Sequence, residues 1–272
     1  MLATLGPDLV RLRAALETRF TGWAAESGAA AMLYPPLVPV ADLERIDYFR
    51  NFPHLALLGS GLNSETIAQY GDTGLAGSTV PATALTDPAY ALPSAACYQV
   101  YFDLAGQQLD LPRQVTTVAT CFRREDHYDG LRRLLGFSMR EVVCVGDRDT
   151  VREHLSSYKE MLTGYLATLG LPVKVEPATD PFFESGGSGG ARALMAQLFP
   201  VKEEFLYGGT LAIASVNFHR NFFGERCDIR TADGSPAFTG CVAFGIERWI
   251  SALTTHFDQL SAAELCELVL AG

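Results

Sequence analysis

Two short stretches of this sequence concentrate the residue types that handle phosphate. Thr120-Cys121-Phe122-Arg123-Arg124-Glu125 places an Arg-x-Glu on a strand-like segment. A polar loop over residues 126–130 follows, then a second arginine-bearing strand ending Phe137-Ser138-Met139-Arg140-Glu141. Far downstream, Phe244-Gly245-Ile246-Glu247-Arg248-Trp249 sets a Gly-x-Glu-Arg at the start of an apolar helix. Fixed guanidinium groups make planar, charge-assisted contacts with phosphate oxygens and stabilise negative charge that builds there during reaction. Other common ways of binding nucleotides are missing. The only lysines are Lys159, Lys174 and Lys202, and none follows a glycine, so there is no P-loop. The cluster Gly186-Gly187-Ser188-Gly189-Gly190 lacks the apolar strand before it and the acidic residue after it that a dinucleotide fingerprint needs. If this chain handles a triphosphate, arginines do it.

The elements that must position these residues can be read from periodicity. With 272 residues and 48% apolar content, the chain can bury one α/β core, and residues 1–272 are read as a single domain. Pro7 and Asp8 start a helix whose apolar positions Leu9, Leu12, Leu16, Phe20 and Trp23 recur every three or four residues, and Gly28 ends it. Residues 29–33 read as a short strand running into Tyr34-Pro35-Pro36, and 41–93 as loop-rich. Residues 114–122 alternate as a strand should, and 142–145 continue a buried strand. Asp147 caps a long helix that Gly170 and Pro172 terminate. Further strands are expected at 173–175 and 210–216, helices at 191–198 and 245–256, and a capping box at Ser261-Ala262-Ala263-Glu264 opens a final helix.

Composition narrows the function. The chain has no run of about 18 apolar residues and no basic start before an apolar stretch, so we expect neither a membrane span nor secretion. Six cysteines without close pairing suit a reducing cytoplasm, with thiols or metal ligation in place of a disulfide framework. The net charge of −10 argues against nucleic acid as the main partner, because binding many phosphates draws on a basic face.

Strand–loop–strand with Arg-x-Glu, followed by Gly-x-Glu-Arg, resembles motifs 2 and 3 of class II aminoacyl-tRNA synthetases, whose α/β catalytic core is an antiparallel sheet flanked by helices. The first helix and the strand meeting Pro35 look like motif 1, which in that family builds a homodimer interface. The alternative is an ordinary helix-to-strand turn. Over most of its length the chain resembles the amino acid:[carrier protein] ligases, homologues of seryl-tRNA synthetase that lack its tRNA-gripping coiled-coil arm. Tyr48-Phe49, Phe52-Pro53-His54, Gly136-Phe137-Ser138-Met139-Arg140-Glu141, Asp180-Pro181-Phe182-Phe183, Val216-Asn217-Phe218-His219 and Phe222-Phe223-Gly224-Glu225 carry that resemblance alongside the two motifs.

The resemblance implies a two-step reaction. ATP and a small amino acid, glycine or alanine, give an aminoacyl-adenylate. The aminoacyl group then passes to the phosphopantetheine thiol of an acyl carrier protein, with no tRNA involved. Arg123 would hold the α-phosphate, Glu125 the adenine amino group, Arg133 the phosphates and Arg248 the γ-phosphate, while Phe137 would stack on adenine. Phe137 can also be read as plain core, Arg132 takes the role of Arg133 if the register slips by one, and Arg124 and Arg140 read as surface charges. For the Mg²⁺ that accompanies ATP, the family uses an acidic residue on the strand before motif 3. Here that strand reads Leu211-Ala212-Ile213-Ala214-Ser215-Val216-Asn217, leaving Glu204, Asn217 or the phosphates themselves.

The same family holds Zn²⁺ with Cys, Glu and Cys, and the matching positions here are Cys97, Glu141 and Cys241. Three protein donors leave a coordination position open, which in the family takes the substrate's amino group. The plainer reading makes Cys97 and Cys241 small buried hydrophobes. Cys121, Cys144, Cys227 and Cys266 are expected to be inert. The helix at 191–198, with Arg192, is the expected docking element for an acidic carrier protein. Two other readings stay open: a non-catalytic, synthetase-like regulatory subunit, and a minimal tRNA-charging enzyme.

Overall fold

The computed structural model of the chain describes residues 1–178 and 201–272. The Asp180-Pro181-Phe182-Phe183 segment, the glycine cluster and the helix expected at 191–198 with Arg192 lie outside the described residues. In chain order the structure runs α1 (Pro7–Glu26), β1 (Ala30–Ala31), β2 (Val38–Pro39), α2 (Val40–Arg45), α3 (Tyr48–Asn51), β3 (Leu58–Gly59), α4 (Ser64–Thr73), β4 (Tyr90–Ala91) and α5 (Tyr98–Asp103). It continues with β5 (Arg113–Phe122), β6 (Gly136–Gly146), α6 (Arg148–Leu169), β7 (Val173–Pro177), β8 (Lys202–Tyr207) and β9 (Leu211–Arg220). It closes with α7 (Phe222–Arg226), β10 (Phe238–Gly245), α8 (Ile246–His256) and α9 (Ala262–Ala271). No helix among the described residues is long and apolar enough to cross a membrane.

Seven strands form one sheet in the order β1-β5-β6-β10-β9-β8-β7. Only the short β1 runs parallel to its neighbour; the other pairings are antiparallel. This is the antiparallel sheet flanked by helices that the resemblance implies. A small sheet, β2-β4-β3, accompanies α2 to α4. Residues 41–93 are loop-rich, as expected, but carry these short elements, which the sequence did not display because α4 buries only Thr66 while leaving Ile67 exposed, so the segment has no apolar period.

Alternation along the central strands separates two layers. On one face Val142 and Cys144 of β6, Val216 of β9, and Val242 and Phe244 of β10 pack under α1, α6, α8 and α9. Phe20 of α1 stacks on Phe244 at 4.3 Å and meets Trp249 of α8 edge-on at 5.3 Å. Fully burying each such ring stabilises the fold by roughly 1.5–3 kcal/mol. Helix boundaries follow local chemistry. The Asp147 carboxylate accepts from the backbone N–H groups of Asp149 and Thr150, and Gly170 takes the left-handed conformation that ends α6. The Ser261–Glu264 capping box is present.

Arg140 corrects the sequence reading. It is buried, not a surface charge, because it follows Met139 on β6 and so points to the helical face. There it pairs with Glu17 of α1 at 2.7 Å and donates to Thr116 Oγ1 at 3.0 Å. Arg124 is exposed, as expected.

Candidate active site

The opposite face of the sheet carries the polar residues. Glu141 of β6 lies across from Ala243 of β10, and Cys241 lies across from Asn217 of β9. Cys97 stands at the residue just before the first turn of α5. The donor atoms of Cys97, Glu141 and Cys241 all lie within 4.8 Å of one another, and all three residues are buried. Glu141 Oε1 accepts from the backbone N–H groups of Ala96 at 2.8 Å and Cys97 at 3.2 Å, which aims the carboxylate. Gly240 lets β10 sit tight under α6, since a Cβ there would lie 2.9 Å from both Val151 and Leu155.

This donor set fits Zn²⁺. Tetrahedral coordination at Zn–S of about 2.3 Å and Zn–O of about 2.0 Å needs donors a little under 4 Å apart, within a small inward movement. Burial, followed by the bond to Cys241, pushes the Cys97 thiol well above its usual range. At Cys241 the bond from Cys97 pulls downward, but burial and the Glu141 carboxylate outweigh it and leave the thiol at about 11. Two thiols in such surroundings become thiolates when a dication supplies the compensating charge. Asn217 Nδ2 donates to Cys241 Sγ at 3.4 Å, and His219 Nε2 lies 3.8 Å from the same sulfur. Burial holds His219 neutral, with its pKa pulled down to about 3.

A cleft of about 190 Å³, roughly six waters' worth of space, opens beside this trio. Cys97, Arg123, Phe137, Glu141, Cys241 and Arg248 all line it. The Arg123 guanidinium lies over the Phe137 ring at 5.2 Å, and its Nε donates to the Ser94 carbonyl at 3.0 Å. Arg248, in the first turn of α8, donates to the carbonyls of Arg132 and Ala212 at 2.9 and 3.1 Å. Burial, with Arg123 nearby, lowers the Arg248 pKa. Glu125, Phe137, Arg132 and Arg248 line a smaller adjoining recess. Arg133 lines neither space and forms an ion pair with Glu125, while Arg132 pairs with Asp129 at 3.2 Å. Phe137 is half-buried at the cleft wall rather than sealed in the core.

The sequence reading did not foresee β8, which adds Lys202 and Glu204, ion-paired at 2.9 Å, to the cleft. Glu204 lies directly across from Ser215, supplying a carboxylate beside a strand that has none. Glu247 was given no role; it is buried and accepts from the Ser138 backbone N–H at 2.8 Å. Cys121, Cys144 and Cys227 are buried thiols that do not join the trio, and Cys266 is half-buried.

The tRNA synthetase class II core domain (G, H, P, S and T) matches residues 91–257. Amino acid–[acyl-carrier-protein] ligase 1 of Bradyrhizobium diazoefficiens is 36% identical over 251 residues, covering 87% of this chain and 74% of that protein. Among solved structures, the M. kandleri seryl-tRNA synthetase crystallised with A. aeolicus tRNASec has a TM-score of 0.81 at 20% identity, covering 97% of this chain. The seryl-tRNA synthetase of Pyrococcus horikoshii complexed with ATP has a TM-score of 0.69 at 17% identity, covering 98% of this chain. The chain spans 55% and 56% of those two structures, and the likeness shows a shared fold.

Proposed function

The chain belongs to the amino acid–[acyl-carrier-protein] ligases, built on the class II synthetase core, and from that membership we propose that it activates glycine or alanine with ATP and transfers it to a carrier-protein phosphopantetheine thiol. The observation that carries this reading is the meeting of two chemistries in one cleft: the Cys97–Glu141–Cys241 trio and the guanidinium groups of Arg123 and Arg248. Arg123 holds the α-phosphate against the attacking carboxylate of the amino acid, Arg248 the γ-phosphate, and Phe137 stacks on adenine. Glu125 faces the adenine amino group, with Arg133 beside it. Glu204 is the carboxylate best placed for the Mg²⁺ that accompanies ATP. Cys97, Glu141 and Cys241 would hold Zn²⁺, which when bound supplies a Lewis-acid position for the substrate's amino group.

Ala95, Ala214 and Ala243 contribute small side chains to the cleft wall, which supports a small amino acid. Excluding bulk separates neighbouring substrates only modestly per methylene, so glycine and alanine should overlap, with serine weaker. The outer edge of the sheet at β1, with Met32 and Leu33 exposed beside it, supports a homodimer.

ATP–pyrophosphate exchange across amino acids, followed by thioester formation on carrier protein, tests the proposal. Strong exchange with a large or charged amino acid would overturn the substrate assignment. Charging of tRNA in place of carrier protein would overturn the transfer step.

A further inference from the structure

Two segments that carry the resemblance, Val216-Asn217-Phe218-His219 and Phe222-Phe223-Gly224-Glu225, contain His219 and Phe223, to which the proposed reaction gives no role. The structure brings them together behind Cys241. His219 shares the Asn217 face of β9, and its Nε2 lies 3.8 Å from Cys241 Sγ. Its Nδ1 faces two hydroxyls, Tyr101 at 3.2 Å and Thr239 at 3.3 Å. Phe223 meets the imidazole edge-on at 5.0 Å and stacks on Tyr101 at 4.1 Å, so the ring is gripped on more than one side. Gly224 makes this possible. A Cβ there would lie 2.1 Å from the Ala237 carbonyl oxygen, so only glycine lets α7 approach closely enough to deliver Phe223.

We propose that His219 is a positioning residue for the metal site, donating its Nε2 proton to the Cys241 thiolate while Phe223 and Tyr101 fix the ring. A hydroxyl can donate to Nδ1, which puts the imidazole proton on Nε2. A metal-bound thiolate only accepts, so the tautomer and the sulfur match. With Asn217 at 3.4 Å, Cys241 then receives two N–H donors from buried side chains, which fixes its orientation and tunes its donor strength. The inference rests on the metal reading of Cys97, Glu141 and Cys241.

The test uses the full chain and the metal alone. Zinc affinity is measured by competition with a chromophoric chelator, and the thiolate charge-transfer band is recorded after loading with Co²⁺. His219→Phe should weaken zinc binding about 10–100-fold, the scale for removing an outer-shell partner, and should shift the Co²⁺ band. His219→Gln, which restores an N–H donor, should recover part of both. If His219→Phe does not fold, the double variant Tyr101→Phe/Thr239→Val removes both hydroxyls from Nδ1 and should weaken binding in the same direction. Zinc affinity within about twofold of wild type together with an unchanged Co²⁺ spectrum, in whichever variant folds, overturns the proposal. Wild-type protein that takes up neither metal overturns the metal reading itself and this inference with it.

Discussion

Arg123 and Arg248 reach the cleft from positions far apart in the sequence, and each is held by backbone carbonyls before any ligand arrives. A guanidinium anchored in this way needs little reorganisation when charge develops on a phosphate, which is where preorganised electrostatics has most effect. Arg123→Ala and Arg248→Ala should each lower ATP–pyrophosphate exchange by about 100-fold or more, with far-ultraviolet dichroism near wild type. Exchange within a few-fold of wild type would mean the nucleotide lies elsewhere. Cys97→Ser and Cys241→Ser should each lose bound zinc and amino-acid activation together. Full activity of metal-free protein would rule this out. These residues were not equally legible. Arg-x-Glu and Gly-x-Glu-Arg are local patterns that a strand and a helix start make readable. Cys97, Glu141 and Cys241 obey no spacing rule and were found only through the resemblance. Asn217, His219 and Glu204 owe their places to sheet register, with Asn217 opposite Cys241 and Glu204 opposite Ser215, and a single sequence does not display register.

At the scale of elements, long periodic segments with strong caps were readable, and short or charge-rich ones were not. α6 has Asp147 at one end and Gly170 at the other, with an apolar stripe between. β8 begins Lys202-Glu203-Glu204, which looks like a solvated run. Its charges are satisfied within the fold, Glu203 by Lys159 at 2.7 Å and Glu204 by Lys202 at 2.9 Å. Arg140 was misread because its partner Glu17 lies on α1, far away in sequence. That pair ties the first helix to β6, and Glu17 Oε1 has no hydrogen-bond partner among the described residues. Arg140 is buried and Glu17 half-buried, so Arg140→Ala leaves a largely uncompensated carboxylate and should destabilise by about 3 kcal/mol, the low end for a buried pair, in urea unfolding. Replacing both partners, in Glu17→Leu/Arg140→Met, should restore much of that loss. A single variant as stable as wild type would show that the pair is well hydrated in solution.

For the whole molecule, the acidic charge of −10 and the two-faced sheet assign different tasks to different surfaces. One face is sealed under α1, α6, α8 and α9; the other packs a second apolar cluster around Val143, Val145, Tyr101 and Phe223 and opens only at the cleft beside Cys97, Glu141 and Cys241. Acid sensitivity can therefore be probed on the sealed face without disturbing the site. His154 of α6 is 7% exposed, and its Nε2 has no hydrogen-bond partner among the described residues. Burial holds its pKa down at about 4, against 6.5 for the free side chain. Between those two values the unfolded chain binds a proton that the folded chain refuses, so stability falls as pH drops. The contribution is fully present above pH 6.5 and is lost by about pH 4, an effect on the order of 3 kcal/mol. His154→Phe removes the titrating group and keeps a ring beside Tyr158, whose centroid lies 4.8 Å from the imidazole. Urea unfolding from pH 7 to 4 should show a shallower decline in the variant than in wild type. Titrations elsewhere in the chain are common to both proteins, so the difference between their slopes isolates His154. Parallel slopes would show that the imidazole reaches water and takes its proton in the folded state.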